Sequence, residues 1–114
     1  MILREIAKLL SLWPVTAEEK LDREVAGCYA GDLLSVAMAS AHQGDLWLTT
    51  QSHANVVAVA VLLDLAGVVI TAGAQPDVAT AGRANAEGVV LLTTPEPTYV
   101  VAGKLWELGI RASK

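Results

Sequence analysis

The chain is poor in the residues that most readily reveal a chemistry. Its one cysteine, Cys28, excludes an internal disulfide, and the cytoplasm is then the default expectation for where it works. Only two histidines, His42 and His53, accompany that cysteine, at a wide and irregular spacing that does not suit zinc, so no metal is expected. Eight Lys and Arg stand against twelve Asp and Glu, for a net charge of −4. No basic run or stripe offers itself for phosphate neutralisation, which argues against nucleic acid as a partner. No GxxxxGKS or GxxxxGKT loop is present, and no GxGxxG follows any apolar run; Gly103-Lys104-Leu105 lacks the preceding glycine loop. Nucleotide hydrolysis and dinucleotide-dependent chemistry are therefore not expected, nor is a cofactor. Arg4 and Glu5 stand early with no small-residue cleavage site after them, so the start of the chain does not read as a secretory signal.

What is present is apolar. Over 114 residues, 54% are hydrophobic and 18% charged, enough for one core and a single domain covering 1–114. The window Ala54 to Ala74 has Asp64 as its only charge and is long enough to resemble a membrane span. Asp64-Leu65-Ala66-Gly67 in its middle reads instead as a turn between a helix and a strand, each too short to cross a bilayer, and no membrane association is expected.

The periodicities predict an alternation of helices and strands. Leu3, Ile6, Leu9, Leu10 and Trp13 recur at helical spacing, with Pro14 as the expected stop and a short strand near Val15. Strands are predicted at Glu24 to Tyr29, Leu46 to Thr50, Val68 to Thr71 and Val89 to Thr93. Helices are predicted at Leu33 to Ala41, Asn55 to Asp64, Asp77 to Glu87 and Thr98 to Leu108. Runs such as GVVITA and GVVLLTT are apolar on both faces, as strands buried between helical layers must be. The fold class expected is α/β, a single three-layer domain with a mostly parallel sheet flanked by helices.

The segment LDREVAGCYAGDLLS, Leu21 to Ser35, is the most distinctive. Read from its residues alone, Asp22 and Arg23 are solvated turn residues, Gly27 within an apolar strand marks a bulge, a positive φ or a close backbone approach, and Gly31-Asp32 forms a turn and helix cap. The same stretch resembles the motif of the DRTGG domain family. Asp22, Arg23, Val25, Gly27, Tyr29, Asp32, Leu33, Leu34 and Ser35 match; Ala26 stands for the threonine, Cys28 for the second glycine and Gly31 for the cap serine, which removes two hydroxyls from the loop. Gly44 to Gly73 is similar to the family's second block, so the resemblance covers nearly the whole chain. It implies a small regulatory module, of the kind found beside CBS domains in a pyrophosphatase, in phosphotransacetylase-like enzymes, and at the N-terminus of HPr kinase, whose catalytic half is missing from this sequence.

Three predicted strands end in polar loops, Thr49-Thr50-Gln51-Ser52-His53, Thr71-Ala72-Gly73-Ala74-Gln75 and Thr93-Thr94-Pro95-Glu96. In open α/β sheets such loops line a crevice at the switch in strand order, where hydroxyls and helix amides suit an anion. Thr49, Thr50, Gln51, His53, Asn55, Thr71 and Thr93 are the candidate ligand contacts, with Asp22-Arg23 expected near them; Thr, Ser and Asn are also ordinary helix caps. Cys28 with His42 or His53 is the one conceivable nucleophile and base. A lone cysteine in an apolar strand is more simply buried and inert, and Glu18-Glu19 reads as a solvated turn, so no enzyme is expected. Asn55 to Leu63 is apolar almost all round, which calls for cover on both sides, and a homodimer involving this helix and the last one with Trp106 is the expected assembly. The expected function is a non-catalytic regulatory or ligand-sensing module for an adenine nucleotide or another phosphate-bearing ligand. The alternative is an interaction adaptor docking on a larger metabolic or redox enzyme.

Overall fold

The computed structural model describes residues 1–113. Five α-helices, α1 (Leu3–Leu10), α2 (Leu34–Ser40), α3 (Ala54–Leu63), α4 (Val78–Glu87) and α5 (Thr98–Glu107), accompany five strands, β1 (Trp13–Pro14), β2 (Gly27–Ala30), β3 (Asp45–Thr49), β4 (Gly67–Ile70) and β5 (Leu91–Thr93), which alternate with the helices from β2 onward; a short 3-10 turn, Glu18–Lys20, separates β1 from β2. The strands form one sheet in the order β1-β5-β4-β3-β2, with β2 to β5 parallel and β1 antiparallel at the edge. The architecture is thus the mostly parallel α/β sheet expected from the sequence.

Every residue of β3, β4 and β5 is buried, because successive side chains enter opposite helical layers. Leu46, Leu48, Val69 and Leu92 pack with Leu3 and Ile6 of α1 and with Val101 and Leu105 of α5. Trp47, Val68, Ile70 and Leu91 pack with Ala37 of α2, Val56 and Val57 of α3, and Ala84 of α4. Three successive crossovers therefore lie on one face while α5 leaves β5 for the other. The one pair of adjacent strand ends whose chains diverge is β4 and β5, and there the switch in connection falls.

Two boundaries depart from expectation for identifiable reasons. The first helix does not run to Trp13, nor does Pro14 end it. Ser11 adopts a left-handed conformation (φ 55°), and the Leu12 amide bonds back to the Ala7 carbonyl at 2.9 Å, closing the helix at Leu10. Pro14 instead sits opposite Leu92 in the edge strand, where a missing N–H is tolerated, and Trp13 is 73% exposed. The strand expected from Glu24 begins only at Gly27. Ahead of it Glu24 bridges Ile2, the Val25 amide donates to the Met1 carbonyl (3.0 Å), and the Leu3 amide donates to that of Arg23 (2.9 Å), so this stretch pairs with the N-terminal segment rather than with β3. The other elements begin or end within two residues of expectation.

Gly27 has no positive φ and pairs one to one with Asp45 in an unbroken register, so neither a left-handed turn nor a bulge explains it. Close approach does. A Cβ there would lie 2.8 Å from the Arg111 carbonyl oxygen and 2.9 Å from Asp45 Oδ1, and would collide with Ser113 Oγ. The same Arg111 carbonyl accepts the Cys28 amide at 3.0 Å, so the chain after α5 lies along the outer edge of β2. Gly27→Val should therefore destabilise by about 1–3 kcal/mol through overpacking, seen as a melting temperature lower by several degrees. An unchanged melting temperature would show that the terminal segment yields freely.

Candidate functional site

The carboxyl ends of the parallel strands hold the residues expected to form the site, but they do not hold them in one role. Thr49, at the end of β3, is fully buried; its hydroxyl donates to Asp32 Oδ1 (2.9 Å) and accepts the Gln51 amide (3.1 Å). Thr71 is equally buried, its hydroxyl 2.6 Å from that of Thr98 at the start of α5 and 3.3 Å from the Thr49 carbonyl. Thr93 is buried as well. The Thr49 and Thr71 hydroxyls belong to the scaffold. Gln51 is half-buried and spends its Nε2 on the Asp32 carbonyl (3.0 Å). Thr50, His53 and Asn55 are exposed at the mouth.

The switch between β4 and β5 is closed by the protein itself. Ala72 and Gly73 are both left-handed (φ 58° and 78°), which turns their amides across the gap to the Glu96 carbonyl (2.8 Å) and the Thr94 carbonyl (3.0 Å). The donors that would otherwise greet a ligand there are spent, and open donors shift to the next loop. His53 occupies the cap position of α3 without a side-chain cap, so the first amides of that helix keep no side-chain partner.

Two carboxylates flank this helix end. Asp32 was expected to cap α2, yet the cap position is Leu33 and carries no side-chain bond. Asp32 Oδ1 instead accepts the Thr50 amide at 2.7 Å together with the Thr49 hydroxyl, tying the β2–α2 turn to the β3–α3 loop. The Thr50 backbone bond, followed by bonds from the Thr49 and Thr50 side chains, holds the Asp32 carboxyl below the usual carboxylate range against the opposing effect of burial. Asp77 caps α4 by accepting the Thr80 amide at 2.7 Å, and that bond chiefly lowers its pKa, with a smaller contribution from nearby His53. Asp77 and Thr98 were not among the expected site residues. The helix-start position of Asp77 was a legible signal, whereas the Thr71–Thr98 pairing is a tertiary contact.

Asp22 and Arg23 lie elsewhere, which corrects the expectation that they approach the ligand loops. Asp22 accepts from Arg4 Nε at 2.7 Å. Arg23 reaches the C-terminal end of α3, at the opposite end of the sheet. Its guanidinium donates to Asp64 Oδ1 (2.8 Å), the Asp64 carbonyl (2.8 Å) and the Leu65 carbonyl (3.3 Å). A cation placed on helix-terminal carbonyls is favourable, and left-handed Asp64 (φ 52°) turns its carboxylate toward it. The motif arginine is thus a helix clasp. Beside it a polar cavity of about 460 Å³ opens between Lys20, Arg23, Asp64, Asn85 and Glu87.

Cys28 is half-buried in β2, and burial, then the charge of Asp45, pushes its thiol up to about 12. A thiol so held in its protonated form is a weak nucleophile at neutral pH. His42 stands beside Asp45, its Nδ1 3.9 Å from that carboxylate at the amino end of β3, whereas His53 is at the carboxyl end. Among the described residues no cluster of three or more His, Cys, Asp or Glu could hold a metal ion, and no helix is long and apolar enough to cross a membrane.

No family model and no curated protein matches the sequence. A solved structure does: the CBS and DRTGG domains of the regulatory region of Clostridium perfringens pyrophosphatase, complexed with the activator diadenosine tetraphosphate, align with a TM-score of 0.71 at 17% identity. The fold is DRTGG-like. The alignment covers 90% of this chain and 44% of that one, so this chain corresponds to less than half of that regulatory region. In the DRTGG-like fold of this chain, Arg23 braces the amino end of the sheet and Asp32 the carboxyl end.

Two outcomes follow from those contacts. Arg23→Ala should cost about 1–2 kcal/mol in chemical denaturation, since it strips charged donors from a half-exposed helix end. Asp32, with its folded pKa below the unfolded value of about 3.9, contributes stability that is present above about pH 4 and lost as pH falls through the folded value. Asp32→Asn should therefore be less stable than the parent near neutrality, with the gap narrowing below about pH 4. A gap constant from pH 7 to pH 2 would mean that the Asp32 charge is not what ties the two loops.

Proposed function

We propose that this chain is a non-catalytic regulatory module of one DRTGG-like domain that senses a phosphate-bearing ligand, an adenine nucleotide foremost, at the mouth formed by Thr50, His53 and Asn55. The observation that carries this reading is the exposed, uncapped N-terminus of α3, set between two carboxylates in a fold shared with a nucleotide-complexed regulatory region. A phosphate over the first amides of α3 meets the positive end of the helix and the His53 ring. Asp32 and Asp77 repel a bare anion but accept hydrogen bonds, so the favoured ligand carries donors beside its phosphate, as ribose hydroxyls and an adenine amino group provide. Local potential then outweighs the net charge of −4. The module works in the cytoplasm and as a homodimer.

The adaptor reading has one observation in its favour. Tyr99 and Trp106, 88% and 58% exposed, stand on α5 in an aromatic surface of the kind that anchors protein interfaces, so a larger metabolic or redox enzyme is the partner in that case.

Titration of isotopically labelled protein with ATP separates the two. Amide resonances of Thr50 to Asn55 should move at millimolar nucleotide, and His53→Ala combined with Thr50→Ala should weaken the response, while Arg23→Ala leaves it in place. If no resonance in this loop moves, the sensor reading fails and the adaptor reading takes its place.

A further inference from the structure

We infer that the outer face of the α2–α3–α4 layer is the contact between two copies of this chain, with Arg83 of each copy paired to Glu87 of the other. The inference rests on the homodimer reading above and goes beyond it by naming the surface and its register. The sequences of α2, LSVAMAS, and α3, ANVVAVAVLL, contain no charged residue, yet their outer positions Val36, Met38, Val61 and Leu62 are exposed, Leu62 by 68%. A shallow cleft of about 330 Å³ runs between α3 and α4, with Ala58, Val61 and Leu62 on one side and Arg83 and Glu87 on the other. Gly82 on α4 has nothing near the position a Cβ would take, so a second helix layer can approach closely.

Charge complementarity selects a second copy as the occupant. Arg83 and Glu87 are the only charges of α4, and among the described residues neither takes part in an ion pair. A twofold contact matches residue i to j and j to i, so one cation and one anion on the same helix form a self-complementary set that closes twice across the axis. Leu62 of each copy then enters the cleft of the other beside that pair. A molecule measuring 34 × 28 × 24 Å offers on such a face roughly the 800 Å² per partner that a standard interface buries.

The apolar surface on α5 lies across the sheet, which corrects the expectation that α3 and the last helix with Trp106 are buried in one twofold contact: the two cannot share it. One face of Trp106 is already taken by Arg111, whose guanidinium carbon is 3.7 Å from the ring centroid. That leaves α5 free for a different partner while the α2–α4 face is closed.

Sedimentation velocity on the full chain tests the assignment. The parent should be dimeric at micromolar concentration. Leu62→Glu and Arg83→Glu should each raise the dimer dissociation constant at least tenfold with an unchanged circular dichroism spectrum, and the double reversal Arg83→Glu with Glu87→Arg should restore the dimer, because swapping both signs preserves the pairing. A monomeric parent overturns the homodimer reading and this inference together. A dimer that ignores Leu62→Glu and Arg83→Glu but dissociates with Trp106→Ala leaves the homodimer standing and overturns the α2–α4 assignment alone. A double reversal no better than the single one removes the Arg83–Glu87 pairing.

Discussion

Two backbone hydrogen bonds, from Ala72 to the Glu96 carbonyl and from Gly73 to the Thr94 carbonyl, close the place where this topology would otherwise leave a crevice. The order of the strands puts three crossover helices on one face and sends the chain after β5 to the other, so adjacent β4 and β5 part company at their carboxyl ends. In an open α/β sheet that gap is the natural ligand site. Here the left-handed pair at 72 and 73 turns its amides inward, and Thr71 with Thr98 seals the floor. Under the proposed reading, a ligand at this end of the sheet uses donors one loop away, at the start of α3. Placing the candidate site at Thr50, His53 and Asn55 is a consequence of that closure.

The helix that would present the ligand is held at both ends by residues of the same motif. Asp32 fixes the loop that precedes α3 through the Thr50 amide and Thr49 hydroxyl, and Arg23 clasps the carbonyls of Asp64 and Leu65 at its far end. Between these anchors Val56, Val57, Val59 and Ala60 are buried. In physical terms Arg23 and Asp32 of the motif position this helix, and Asp32 also stands beside its exposed N-terminus.

Much of this architecture is legible in the sequence because its signals are local. The doubly apolar runs around Val68 and Leu91, the Asp77 cap and the turn at Asp64 each declare themselves within a few residues. The departures are tertiary. Pro14 marks a helix end when read alone, but the helix is closed earlier by Ser11 and the Leu12 amide, and proline is free to join an edge strand. Thr49 and Thr50 look alike in the chain, and only the end of β3 at Thr49 makes the first a buried scaffold hydroxyl and leaves the second in the exposed loop. Gly27 announces a special environment correctly, but nothing nearby in sequence says that the neighbour is Arg111, 84 positions on. Asp22-Arg23 was expected beside the ligand loops because motif and site are easily equated; the partners of Arg23 are 41 and 42 positions away.

A crystal structure of the chain grown with ATP would locate the ligand relative to the closed β4 and β5 loops. Phosphate density should lie over the first turn of α3, near His53 and Asn55, with the bonds from Ala72 and Gly73 across the β4 and β5 loops intact. Density lodged between those two loops, with their backbone bonds broken to receive it, would contradict that placement.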